Sequence, residues 1–175
     1  MAKKTTIIPR GIRNNNPLNI RIGNQWLGER ANPNDPAFEQ FVAMEYGIRA
    51  GFVLLRRYIR HYKRTTVAAI IEAWAPANEN NTQRYIDMVS RMADISPTEA
   101  IRYDNKDMMV RLVDAMIRVE CGQPVERRII EKGYEIYNEK DQLVERRTRS
   151  GARPCGRPVR SWSRNNDVRC MMYDV

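Results

Sequence analysis

The stretch Asn105-Lys106-Asp107-Met108-Met109-Val110-Arg111-Leu112-Val113-Asp114-Ala115-Met116-Ile117-Arg118-Val119-Glu120-Cys121-Gly122 decides how this sequence is read. Met109, Leu112, Val113 and Met116 recur at the spacing of a helix with one apolar stripe. Asn105 is a capping residue type at its start, and Gly122 with Pro124 ends it. Glu120 falls on the same stripe, four residues beyond Met116. Its helical neighbours are Met116, Ile117, Gln123 and Pro124, so no lysine or arginine stands ready to pair with it. It also lies in the last turn, where the helix macrodipole is negative. Desolvation and dipole both disfavour the anion, which predicts a raised pKa. A carboxylic acid that keeps its proton near neutral pH is what a glycosidase uses to protonate a departing sugar oxygen. A plainer reading ends the stripe at Met116 and lets Glu120 emerge into solvent, and periodicity does not choose between the two.

Working outward, Ile48, Phe52, Leu55, Ile59 and Tyr62 form a helical stripe. Val67, Ile70, Ile71 and Trp74 form another that stops before Pro76. Tyr85, Met88, Val89 and Met92 make a third, and Ile129, Ile130, Tyr134 and Tyr137 belong to a last helix. Ser96-Pro97-Thr98-Glu99 reads as a capping box opening a short helix. Residues 10 to 43 are crowded with turn formers such as Asn14-Asn15-Asn16-Pro17 and Asn32-Pro33-Asn34-Asp35-Pro36. Between them, Leu18–Ile22 and Phe38–Phe41 are expected as two short strands. The fold class is therefore mainly α: an N-terminal arm over 1–9, a helical domain over 10–140 with a small irregular or β lobe at its start, and a basic, extended tail over 141–175.

A chain of 175 residues, 42% hydrophobic, supports one ordinary core and is not composed like a disordered protein. No apolar run is long enough for a membrane span, and the first ten residues lack the apolar stretch of a secretory signal. Cys121, Cys155 and Cys170 are too few and too odd in number for a disulfide framework. His61 is the single histidine, which argues against a zinc hydrolase, and its place in a basic helix end suggests a surface residue. No glycine-rich phosphate loop is present, and no cofactor is implied. The net charge is +9, of which residues 146 to 175 supply +6 through eight arginines against Asp167 and Asp174. Such a tail suits a phosphate-rich or acidic partner, nucleic acid included, or serves as a solubilising or assembly segment. Trp162 alone is thin support for base stacking.

The segment from Ala115 to Gly122 resembles the catalytic segment of soluble lytic transglycosylases and goose-type lysozymes, where an apolar helix ends in Glu-Ser-Gly; here Cys121 replaces the serine. Glu79-Asn80-Asn81-Thr82-Gln83-Arg84-Tyr85 is similar to the start of the helix whose tyrosine lines the active site in those families. Asn16-Pro17-Leu18-Asn19-Ile20-Arg21 is similar to their Asn-Ile segment. The order differs, because the glutamate helix follows the other two pieces instead of preceding them. The resemblance therefore implies a circularly permuted lysozyme-like domain. From Arg10 to about Tyr137 the chain also resembles phage and prophage proteins that begin Arg-Gly-Ile-Arg-Asn-Asn-Asn-Pro and are labelled virion structural proteins or peptidoglycan-degrading enzymes. Leu18 stands where that family usually has glycine.

These resemblances imply a muramidase, of lytic transglycosylase type, acting on the β-1,4 bond between N-acetylmuramic acid and N-acetylglucosamine. Glu120 is the expected catalytic acid. Tyr85, Asn19, Asn15, Asn81 and Trp26 are the expected substrate contacts, since amides and hydroxyls suit N-acetyl groups and sugar hydroxyls. Trp74 is assigned to the core. Glu79, Glu45 and Asp35 are candidates for a second carboxylate, although Glu45 has Arg49 four residues on as an ion-pair partner. The expected partners are peptidoglycan strands, virion proteins and, through the tail, nucleic acid. The expected location is the virion, or the host cytoplasm during synthesis, with action on the periplasmic cell wall. The alternative is a non-catalytic virion protein whose basic tail binds capsid, phage-tail components or DNA.

Overall fold

The computed structural model describes residues 8–75 and 81–149, with side chains as far as residue 139. Among these lie six helices and no β-strand: α1 Arg10–Arg13, α2 Met44–Arg60, α3 Val67–Trp74, α4 Thr82–Ala93, α5 Lys106–Cys121 and α6 Arg127–Arg149. The chain is thus mainly α, as its periodicities require.

Helix α5 is the axis of the fold. The Asn105 side chain caps it by accepting the Met108 N–H at 3.1 Å, and Gly122 closes it at φ 64°. Met109, Leu112, Val113 and Met116 are fully buried, and α5 packs against α1, α2, α4 and α6. Helix α2 buries Ile48, Phe52, Leu55 and Ile59 and ends with exposed His61 at its C-cap. Phe52 receives Tyr134 edge-on at 5.1 Å and Tyr137 in a stack at 5.8 Å. One turn back, Gly133 lies so close to Ile48 that an added Cβ would come within 2.7 Å of its Cγ2. Later residues of α6 thus meet later residues of α2, and the two helices run in the same direction.

Three local expectations are corrected. The segments Leu18–Ile22 and Phe38–Phe41 form no strands; they meet in single bridges, Arg21 with Phe38 and, from the next loop, Glu29 with Phe41. The buried Asn16 side chain explains this. Its amide donates to the carbonyls of Ile20 at 2.9 Å and Glu39 at 3.0 Å, and its oxygen accepts the Ile20 N–H, so a side chain occupies the groups a ladder would use. Ser96–Glu99 makes one turn and no helix. Glu99 does reach back to the Ser96 N–H at 3.3 Å, but Ala100 bridges Thr66 and the Ile101 N–H bonds the Thr65 carbonyl, which pulls the chain out straight. Finally, 141–149 belong to α6 instead of an extended tail. Glutamate, lysine, leucine and arginine are helix formers, and the first breaker is Gly151. Residues 150–175, like 1–7, lie outside the described residues, and so does the reading of the tail beyond Arg149. No described helix is long and apolar enough to cross a membrane.

Candidate functional site

Four segments converge on Glu120, at the end of α5. Tyr85, from the first turn of α4, donates its hydroxyl to Oε1 at 2.5 Å. Trp74, the last residue of α3, donates its indole N–H to the same oxygen at 3.1 Å. Asn19, in the loop after α1, donates its amide to Oε2 at 3.1 Å. Among the described residues, no arginine or lysine bonds the Glu120 carboxyl. Burial pushes the Glu120 carboxyl up to about 8, against three hydrogen bonds that favour the anion. The residue as a whole is nevertheless partly exposed. The group is an acid that stays protonated at neutral pH, with its position fixed by three donors, in a residue that is partly exposed.

The loop that supplies Asn19 is held tightly. Asn19 adopts a left-handed backbone, φ 47°, which asparagine tolerates better than most residues. Gly11 leaves room for it: an added Cβ would lie 2.8 Å from the Asn19 side-chain oxygen and 2.9 Å from the Cys121 sulfur. Cys121 donates to the Pro17 carbonyl at 3.3 Å, and burial, with the Glu120 charge beside it, pushes its thiol up to about 12. Cysteine where the lysozyme-like motif has serine thus serves as a buried tie between helix end and loop, and it is no nucleophile at neutral pH. Leu18 needs no glycine conformation; it is fully buried with its Cδ1 over Gly51.

The remaining candidates divide. Asn81 is exposed and caps α4 through the Arg84 N–H at 3.0 Å. Asn15 donates to the Phe41 carbonyl at 3.0 Å and holds the lobe's loops together. Trp26 is buried in the core, so it presents no face to a sugar ring; the apolar environment around its ring won over stacking on ligand. Glu45 sits in the first turn of α2 and shares no hydrogen bond with Glu120. Glu79 lies outside the described residues. Asp35 is committed elsewhere: Arg10 grips it through two bonds of 2.7 Å, Asn14 adds a third, and the N–H groups of Ala37 and Phe38 complete the shell. Burial works against that anion, but the Arg10 guanidinium and the amides outweigh it and hold the carboxyl far below the usual carboxylate range. Such an ion is a structural clamp and no base. Sequence reasoning missed two things. Trp74 reads from sequence as a core residue or a sugar-stacking ring, yet its buried indole N–H needs an acceptor, and Glu120 is the acceptor. Glu39, 3% exposed, is a second buried carboxyl, pushed up to about 7 by burial and by Glu29, and its Oε1 accepts the Gly23 N–H at 3.2 Å.

The fold and site define a small helical protein built around one neutral, three-way-anchored carboxylic acid. The chain is 40% identical over 131 residues to Protein P5 of Pseudoalteromonas phage PM2, a match that covers 72% of this chain and 80% of that protein. It belongs to the same family of phage proteins. No established family profile matches it.

Proposed function

We propose that the chain is a virion protein of a phage and that its helical domain cleaves the glycan of peptidoglycan during entry or exit. Kinship with a phage protein supports the first part. Taken alone, that kinship favours a structural role in the particle over an enzymatic one, because the relative's name carries no activity. One observation carries the second part: Glu120 is a partly exposed residue whose protonated acid is anchored by Tyr85, Trp74 and Asn19.

In this reading Glu120 passes its proton to the glycosidic oxygen as the bond from the muramyl C1 breaks. The muramyl 6-hydroxyl then attacks C1 and returns its proton to the carboxylate, leaving a 1,6-anhydro sugar. This lytic transglycosylase route needs no second carboxylate to activate water. It suits a site where, among the described residues, Asp35 is locked by Arg10 and no other carboxylate joins the cluster. A circularly permuted lysozyme-like domain is part of the same proposal, since the order of its helices fits the resembling motifs.

The test is clearing of purified peptidoglycan. Wild type clears it, Glu120→Gln falls by roughly a hundredfold or more, and mass spectrometry finds anhydro-muramyl ends. Equal clearing by both proteins would remove Glu120 from the mechanism. Absence of clearing by wild type, together with salt-dependent DNA or capsid binding that disappears when residues 150–175 are deleted, would establish the purely structural alternative.

A further inference from the structure

One outward face of α4 is left over by both the core and the Glu120 cluster. It forms a groove of about 570 Å³ whose walls include Arg84, Asp87, Met88, Arg91 and Met92, with Asn81 at the end nearest the site. Tyr85, which reaches Glu120, is the next residue after Arg84. Arg84 and Arg91 are both exposed, and neither forms an ion pair among the described residues. Asp87 stands at the spacing that would let it pair with either one, three residues from Arg84 and four from Arg91. It bonds Gln83 instead, at 2.9 Å. Met92 is 49% exposed and Met88 half-buried, so two thioether side chains line the groove with the two cations.

We infer that this groove binds the anionic peptide stems that hang from the muramic acid of a glycan strand, an inference that rests on the peptidoglycan reading of the adjacent site. The two guanidiniums are seven residues apart, about 10 Å along the helix. That spacing suits separate carboxylates on a short peptide, and the methionines suit the alanine methyls between them. A nucleic acid fits less well. The groove's own charge is two arginines against Asp87, which is weak for a continuous polyanion and places a carboxylate among the phosphates.

The experiment follows the methyl signals of Met88 and Met92 by NMR in the full-length protein as a muramyl stem peptide with free carboxylates is added. Those two methyls shift while the buried Met109 and Met116 do not. Amidating the peptide's carboxylates weakens binding roughly tenfold or more, and Arg84→Ala with Arg91→Ala abolishes it. Unmoved methyls, equal binding of the amidated peptide, or tighter binding of a DNA oligonucleotide at the same methyls would each overturn the inference. Glu120→Gln leaves the shifts intact. A protein that shows the shifts but clears no peptidoglycan keeps the groove and loses the catalytic reading. One that clears peptidoglycan without the shifts does the reverse.

Discussion

At the level of single residues, Glu120 behaves as its neighbours dictate. Burial raises its pKa to about 8, so the acid form persists through neutral pH and is lost above it. Clearing activity is therefore expected to hold to about pH 8 and decline beyond. Tyr85 works in the opposite sense, because its hydroxyl stabilises the anion. Tyr85→Phe should move the alkaline limb of the pH profile upward, and a limb that stays or moves down would show that Tyr85 does not govern the proton. Gly11→Ala probes the other oxygen. Its methyl would collide with the Asn19 side chain and the Cys121 sulfur, and a cost of ~1–3 kcal/mol in denaturant unfolding is expected, with weakened activity beyond what instability explains. A carboxylate interrupting an apolar stripe left two readings open in the sequence, a buried acid with a raised pKa and an acid emerging into solvent. The resemblance brought Tyr85 and Asn19 to the site as substrate contacts, but that they and Trp74 bond Glu120 was not legible, since they lie 35, 101 and 46 residues from it and periodicity carries no information about which side chains meet across such distances.

Elements follow the same division. Helices α2 to α5 were readable because each hides an apolar stripe, and α3 and α5 stop before Pro76 and at Gly122; in α4, however, Tyr85, Ile86 and Val89 are buried while Met88 is half-buried and Met92 exposed, so the expected stripe is turned by a residue. Asn105→Ala should cost ~1 kcal/mol by loss of the cap bond to Met108, measurable as a fall in the denaturation midpoint. The lobe before α2 was misread because its order comes from side chains acting as backbone. Asn16 is fully buried and makes three bonds to main-chain groups. Asn16→Ala leaves those groups unpaired and should destabilise by ~2–4 kcal/mol; a loss under ~0.5 kcal/mol would mean that water or a rearranged loop replaces the side chain. No pattern of apolar residues announces such a residue, whereas a ladder would have announced itself by alternation.

For the molecule as a whole, two carboxyls among the described residues titrate far above their free values, Glu39 at about 7 and Glu120 at about 8. In both cases the folded state holds a proton the unfolded chain releases near the ordinary carboxylate pKa of 4.5. Their contribution to stability is thus fully present below that value and drains away as pH climbs through 7 and 8. The melting temperature should fall from pH 5 to pH 8.5, and Glu39→Gln and Glu120→Gln should each flatten the decline; a curve that rises over this range would contradict both. The tie between Asn19 and Glu120, with the Cys121 bond to Pro17 beside it, also joins two segments about a hundred residues apart in the chain. The opening segment of the chain must wait for the end of α5 before either contact can close. A chain cut between those segments keeps the two contacts only as long as packing holds its pieces together.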